Sequence, residues 1–229
     1  MSSALSLVNG RAGYGPVEVL HGVTMTFPPG AVVALVGRNG AGKSSVLRCV
    51  AGLLPLRSGC LQWGTRDLTG TTPFERARIG LSLVPDERGV FLEMTVRENL
   101  QVFSNGGPVD AATEVFPELA VRLDQPASTL SGGEQQMLSL SHAFVRPCPV
   151  MLLDEVSRGL SPAVSARCYG ALAGLRDPER TLVVVEQYVE DVLRVADLVY
   201  VLARGQVTFA GEPAELRAQA GRGRGRAQQ

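Results

Sequence analysis

The chain has 229 residues, enough for one well-buried core or for a core with a smaller lobe inserted in it. Lysine plus arginine (22) balance aspartate plus glutamate (22), so no global field draws the protein to nucleic acid or to an anionic membrane. The longest apolar runs, such as "AVVALVG" and "TLVVVEQ", fall far short of the roughly 20 residues needed to cross a bilayer, and the start carries no signal-peptide pattern.

The first third alternates β-like patches with turn signals: "LSLV" at 5–8, then "VEVLHGVTMTF" at 17–27 closing on Pro28-Pro29-Gly30, then the buried-type strand "AVVALV". That strand runs straight into "GRNGAGKSS" at 37–45, and "KSSVLRCVAGLL" continues with helical spacing. Gly37, Gly42, Lys43 and Ser44 match the pattern G-x-x-x-x-G-K-[ST], with Arg38, Asn39, Gly40, Ala41 and Ser45 completing the loop. The glycines let backbone N–H groups wrap phosphates, the lysine brings a point charge to the β and γ groups, and the serine hydroxyl can ligate Mg²⁺. A buried strand before and a helix after separate such a loop from an ordinary tight turn.

Further on, Thr95 and Glu98 form a capping box for "VRENLQVF", and a second helical patch surrounds "AATEVFPELAVRL". Asn105-Gly106-Gly107-Pro108 separates the two, so residues of about 95–147 read as a small helical lobe. Within it, "TLSGGEQQML" at 129–138 has two readings. Ser131 and Glu134 make a plain capping box for "EQQMLSLSHAFV", whose Met137, Leu138, Leu140 and Phe144 form an apolar stripe. A capping box gives no reason for Gly132 and Gly133, each of which costs about 1 kcal/mol inside a helix. Two glycines at a helix start are also an anion cradle, and the chain then has two cradles.

Beyond the lobe, strands again alternate with helices: "VMLLD", "PAVSARCYGALAGLR", "TLVVVE", "VEDVLRVAD" and the hairpin "LVYVLARGQVTFAG". This alternation predicts a mostly parallel sheet with covering helices. After Pro162, residues Val164, Cys168, Ala171, Leu172 and Leu175 share one helix face and read as core. The strand "VMLLD" ends in adjacent carboxylates, Asp154 and Glu155, which point to different sides, so one can hold a metal while the other faces an attacking water. Taken by themselves they are acids at a strand end; beside the glycine loop they read as a hydrolytic pair. Cys49, Cys60, Cys148 and Cys168 show no CxxC spacing and read as reduced packing residues. The basic, glycine-rich end, residues 219–229, reads as a disordered solvated tail rather than an RNA or lipid contact.

The ordered set "GRNGAGKS", "LSGGEQQ" and "MLLDE" resembles the ATP-binding subunit of ABC transporters, over the stretch from Tyr14 to about Leu216. The resemblance implies an α/β fold of the P-loop NTPase type across residues 1–218: a mostly parallel sheet core with an N-terminal antiparallel β subdomain and an inserted helical subdomain. It also implies ATP and Mg²⁺ as ligands and ATP hydrolysis coupled to transport. In the family two cassettes face each other, and the signature of one, here Ser131, Gly132, Gly133 and Glu134, closes over the γ-phosphate held by the other's glycine loop. Tyr14 stands where an aromatic stacks on adenine, a core or surface tyrosine being the alternative. Ser44, Asp86 and Asp154 stand at metal positions, and Lys43, Glu155 and Gln187 at catalytic ones. Asp86 replaces the usual glutamine of the switch loop and Gln187 the usual histidine; Val156 for proline and Arg158 in "SRGL" alter the loop that crosses the dimer interface.

At a finer level, "VP" before an acid, "RGVF", "MTVRENL", "FPEL", "SGGEQQML" and "VEQ" resemble the branched-chain amino-acid importer type; urea and short-chain amide importers share much of this wording. That type implies two permease subunits, a second and commonly non-identical cassette, an external substrate-binding protein, and a place on the cytoplasmic face of the cell membrane. Phe91, Leu92 and Met94, with Arg88 beside them, are the expected docking point for a permease coupling helix. Two rival readings are a soluble ABC ATPase of translation or DNA repair, and a regulatory cassette that binds ATP without hydrolysing it.

Overall fold

The computed structural model describes residues 3–86, 89–187 and 189–226, with side chains as far as Gln219. In chain order its elements are β1 (Leu5–Tyr14), β2 (Val17–Phe27), β3 (Val32–Val36), α1 (Lys43–Ala51), β4 (Ser58–Trp63), β5 (Arg66–Asp67), α2 (Pro73–Arg78) and β6 (Leu81–Val84). A helical stretch follows, with α3 (Val96–Ser104), α4 (Asp110–Val115), α5 (Pro117–Ala120), a 3₁₀ turn at Ala127–Thr129 and α6 (Gly132–Val145). The rest is β7 (Val150–Asp154), α7 (Pro162–Gly174), β8 (Thr181–Glu186), α8 (Val189–Val192), β9 (Leu198–Ala203), β10 (Gln206–Gly211) and α9 (Pro213–Arg226).

The strands form two sheets. The first runs β2-β1-β4-β5 and is antiparallel. The second runs β10-β9-β3-β8-β7-β6, parallel throughout except for the antiparallel edge strand β10. Successive side chains of a strand face opposite sides, and here both sides are covered. Val32, Ala34 and Val36 enter one core with α3, α6 and α7, while Val33 and Leu35 enter a second core with α1, β1 and β2. That double burial explains why "AVVALV", "VMLLD" and "TLVVVE" are continuous apolar runs instead of alternating ones.

Several elements differ from the sequence expectation for local reasons. The patch "AATEVFPELAVRL" divides at Pro117, which has no N–H to continue the helix, into α4 and α5. The patch "VEDVLRVAD" keeps a single helical turn, α8. The segment β4, β5, α2 and β6 carries no strong period; α2 is set by Pro73 at its first turn and by a Thr72–Glu75 capping box. Helix α9 carries the backbone to Arg226, into the segment from 219 that composition reads as a tail; once a first turn exists, each further residue adds one hydrogen bond.

The sheet register positions the site. Val36 of β3 pairs with Glu186 of β8, and Asp154 of β7 pairs with Val185 of β8, so three adjacent parallel strands end level with one another. Their carboxyl ends bring Gly37, Asp154–Glu155 and Glu186–Gln187 to one rim, where ligands bind in open α/β sheets.

Candidate functional site

The glycine loop leaves β3 at Gly37, where a Cβ would lie 2.3 Å from the Leu202 carbonyl oxygen, so no larger residue fits. At Gly42, the N-cap of α1, φ is 103° and a Cβ would approach Leu20 Cδ2 to 2.9 Å. The loop therefore folds tightly back onto the helix start, where free N–H groups and the positive dipole end favour an anion. Lys43 is 5% exposed, and its Nζ donates to Gly37 O at 2.9 Å and Arg38 O at 3.3 Å. An ammonium has three donors, so one remains for a phosphate oxygen. A cleft of about 250 Å³ opens over Asn39, Gly40, Lys43, Ser44, Ser45 and Glu155.

Ser44 Oγ donates to Asp154 Oδ1 across 3.1 Å, joining α1 to the end of β7. Asp154 is 4% exposed, and burial pushes its carboxyl up to about 6; the Ser44 hydrogen bond opposes the rise, and Asp86 and Glu155 add to it. The buried Asp154 carboxylate and the Ser44 hydroxyl beside it are two hard oxygen donors. The pair fits a Mg²⁺ ion that takes its other ligands from phosphate oxygens and water. Among the described residues no group of three or more His, Cys, Asp or Glu forms an all-protein metal cage.

Glu155 stands next to this pair with φ 51°, a left-handed backbone that costs a residue with a Cβ about 1–2 kcal/mol. Strain of this kind concentrates at functional sites. Its N–H is held by Val185 O at 3.0 Å, and its carbonyl accepts from Gln136 Nε2 at 3.4 Å. Asp86 forms no hydrogen bond with Ser44 or Asp154; Arg158 Nη1 donates to its Oδ2 at 2.6 Å and lies 3.6 Å from Glu155 Oε2. Gln187 is exposed and shares a cleft of about 520 Å³ with Asn39, Glu155, Ser157 and Arg158. Tyr14 is 45% exposed, with its hydroxyl 3.5 Å from Ser45 Oγ and accepting from Arg48 Nη1 at 3.2 Å, which sets the ring beside the phosphate loop.

The signature residues stand apart from this cluster. Ser131 caps α6 and completes the capping box with Glu134, which also pairs with Arg122 at 2.7 Å. The Ser131 N–H and hydroxyl hold the Glu134 carboxyl below its ordinary range. Gly132 and Gly133 are the first two residues of α6; a Cβ on Gly132 meets nothing within 4 Å, and one on Gly133 meets the Gly159 carbonyl oxygen at 3.4 Å. Packing within the chain gives no reason for glycine at 132, so the open space before this helix start is where a ligand or partner would explain it.

Sequence reading overlooked five neighbours: Arg48, Gln136, Ser157, Tyr169 and Glu186. Glu186 left a signal, because an acid closing a run as apolar as "TLVVV" must find donors in the interior. The expectation placed on Arg88 lies outside the described residues. Its neighbours Phe91 and Met94 are 49% and 38% exposed, and Phe91 lines a groove with Leu83, Pro85, Val90, Val102, Phe103 and His142.

Comparison with known proteins decides the family. The model of the ABC transporter family matches residues 20–158, the stretch that holds the glycine loop, the signature and the acidic pair. The chain belongs to the ABC transporter family. This ABC protein is 35% identical over 220 residues to a probable branched-chain amino acid transport ATP-binding protein, LivF, of Archaeoglobus fulgidus, covering 93% of each chain. It is also 35% identical over 213 residues to the high-affinity branched-chain amino acid transport ATP-binding protein BraG of Pseudomonas aeruginosa, covering 89% of this chain and 90% of the relative. Among solved structures, the ATP-binding subunit of an ABC transporter superposes with a TM-score of 0.81 at 25% identity, covering 96% of this chain and 94% of that one. The fold is thus that of an ABC ATPase, and no helix of the described residues is long and apolar enough to cross a membrane.

Proposed function

We propose that this chain is the ATP-hydrolysing subunit that energises an importer of branched-chain amino acids. The observation that carries the proposal is the meeting of Ser44 and Asp154 at 3.1 Å, with Lys43 folded into the glycine loop and Glu155 alongside. Tyr14 offers its ring to the adenine, and residues 37–45 wrap the phosphates with backbone N–H groups. Lys43 supplies charge to the β and γ groups, while Ser44 and Asp154 would hold Mg²⁺, which would neutralise the developing charge. Asp86, paired with Arg158 in this structure, would reach the metal site only by giving up that pair. Glu155 orients the attacking water, and Gln187 donates an N–H to the γ-phosphate without carrying a charge.

The Ser131–Glu134 helix start serves the nucleotide of a second cassette. Its capping box occupies the helix N-cap and leaves the glycine face open, which suits a phosphate approaching from outside the chain. Two nucleotides then close the pair of cassettes by charge-assisted contacts, and loss of the γ-phosphate reopens it. The second cassette is commonly a different chain, a homodimer being the other arrangement. Two permease subunits dock on the groove that Phe91 lines, an external binding protein delivers cargo, and the chain sits on the cytoplasmic face of the membrane. Cargo identity rests on the two relatives at 35% identity. Gentle solubilisation of native membranes containing a tagged chain, followed by mass spectrometry, tests the assembly. Permease subunits and a second cassette are expected; a haul of soluble proteins would overturn it.

A further inference from the structure

The end of β8 holds a carboxylate that the reaction as described does not use. Glu186 is 1% exposed, yet among the described residues no lysine or arginine is a hydrogen-bond partner of it. Its Oε1 accepts from the Ser157 N–H at 2.8 Å and from the Tyr169 hydroxyl at 2.5 Å. Its Oε2 accepts from the Ser157 hydroxyl at 3.0 Å and from the Gln187 N–H at 3.2 Å. Burial and the neighbouring Glu186 push the Tyr169 phenol upward, so it remains a donor. A buried carboxylate is seldom the most stable filling for such a place, since apolar residues of similar volume avoid the cost of desolvation. The five residues before it on β8 meet the same interior with Thr, Leu and three valines.

We infer that Glu186 is a positioning residue for hydrolysis, tying the loop that follows Glu155 and the backbone of Gln187 to one rigid anchor on α7. Ser157 lies two residues beyond the strained Glu155, and Gln187 adjoins Glu186, so the two sides of the cleft shared by Glu155 and Gln187 hang on the same carboxylate. Tyr169, on α7, fixes that carboxylate from behind. Small displacements of a positioned group cost large factors in rate, which gives the tether its effect. The inference rests on the ATPase reading of the site.

Glutamine at 186 tests it with little change of volume. If its amide nitrogen replaces Oε2, the Ser157 hydroxyl can turn to accept but the Gln187 N–H cannot; if it replaces Oε1, Tyr169 can turn but the Ser157 N–H cannot. One of the two loops therefore loses its anchor in either orientation. For Glu186→Gln, steady-state kcat for ATP should fall about 10-fold while KM stays within about 2-fold, because Lys43, Ser44 and Asp154 do not touch Glu186. Tyr169→Phe and Ser157→Ala, which each remove a hydroxyl donor and keep the fold's backbone contacts, should lower kcat about 3-fold. A non-hydrolysable ATP analogue should bind each variant with wild-type stoichiometry, which separates a slower site from a smaller folded fraction. Unchanged kcat in all three variants, or losses that track the fraction of chains binding the analogue, would overturn the inference. Wild-type chain that turns over no ATP would instead overturn the ATPase reading itself.

Discussion

Asp154→Asn should make the nucleotide-free protein more stable while removing its activity. Burial raises the Asp154 carboxyl from an ordinary 3.8 to about 6, a difference of roughly 2.2 units, or about 3 kcal/mol at 1.36 kcal/mol per unit. The folded chain binds this proton more tightly than the unfolded chain does. The destabilisation is therefore complete above about pH 6, falls to about half near pH 5, and vanishes below 3.8. Asparagine keeps an oxygen to accept from Ser44 and removes the buried charge. For a chain of this length the melting midpoint at pH 8 should rise by up to roughly 6–12 °C, the gain shrinking to about half at pH 5. ATP turnover should fall by about 100-fold or more, and the extra stabilisation that Mg²⁺ with nucleotide gives the wild type should disappear. Thermal melts at the two pH values, with and without Mg²⁺ and ATP, measure all of this. A variant no more stable than wild type at pH 8, or a gain that does not change with pH, would refute the reasoning.

Glu155→Gln should cut turnover by about 100-fold or more while ATP binding persists, and Gln187→His should turn over near the wild-type rate; phosphate release and equilibrium binding distinguish the two. Gly132→Val should leave the melting midpoint of the isolated chain within about 3 °C, because a Cβ there meets nothing, yet lower turnover about 10-fold; unaltered turnover would count against a phosphate seated from outside the chain. His142 stacks on Phe103 at 5.0 Å, and burial, helped by Arg146 and Arg180, pushes it down to about 4. The unfolded chain takes up this proton first, so stability present above about 6.5 is lost as pH falls toward 4; His142→Phe should flatten that acid limb in pH-dependent urea unfolding.

The phosphate loop was legible because its spacing, Gly37 to Ser44, is dictated by phosphate chemistry and sits between a buried strand and a helix. The parallel core was legible from strands buried on both faces. Capping boxes at Thr95 and Ser131 marked two helix starts, the first to the residue, while α6 begins at Gly132, two positions before the run "EQQMLSLSHAFV". The stretch from β4 to β6 was not legible: Ser58–Trp63 is only partly buried, and Arg66–Asp67 is exposed, so no periodic apolar pattern marks them. The partners of Asp86 and Glu186 were hidden for a different reason. Asp86 meets Arg158 across 72 positions, and Glu186 meets Ser157 across 29, through pairings that the sheet register creates and local spacing does not encode.

The most direct test of the account is Mg²⁺-dependent ATP turnover by the tagged chain purified together with its membrane partners, measured for wild type and for Glu155→Gln side by side. Steady phosphate release from the wild-type complex, abolished by Glu155→Gln at unchanged ATP binding, is the predicted result. Equal release from both complexes would place hydrolysis elsewhere and contradict the assignment of the Asp154–Glu155 rim as the reaction centre.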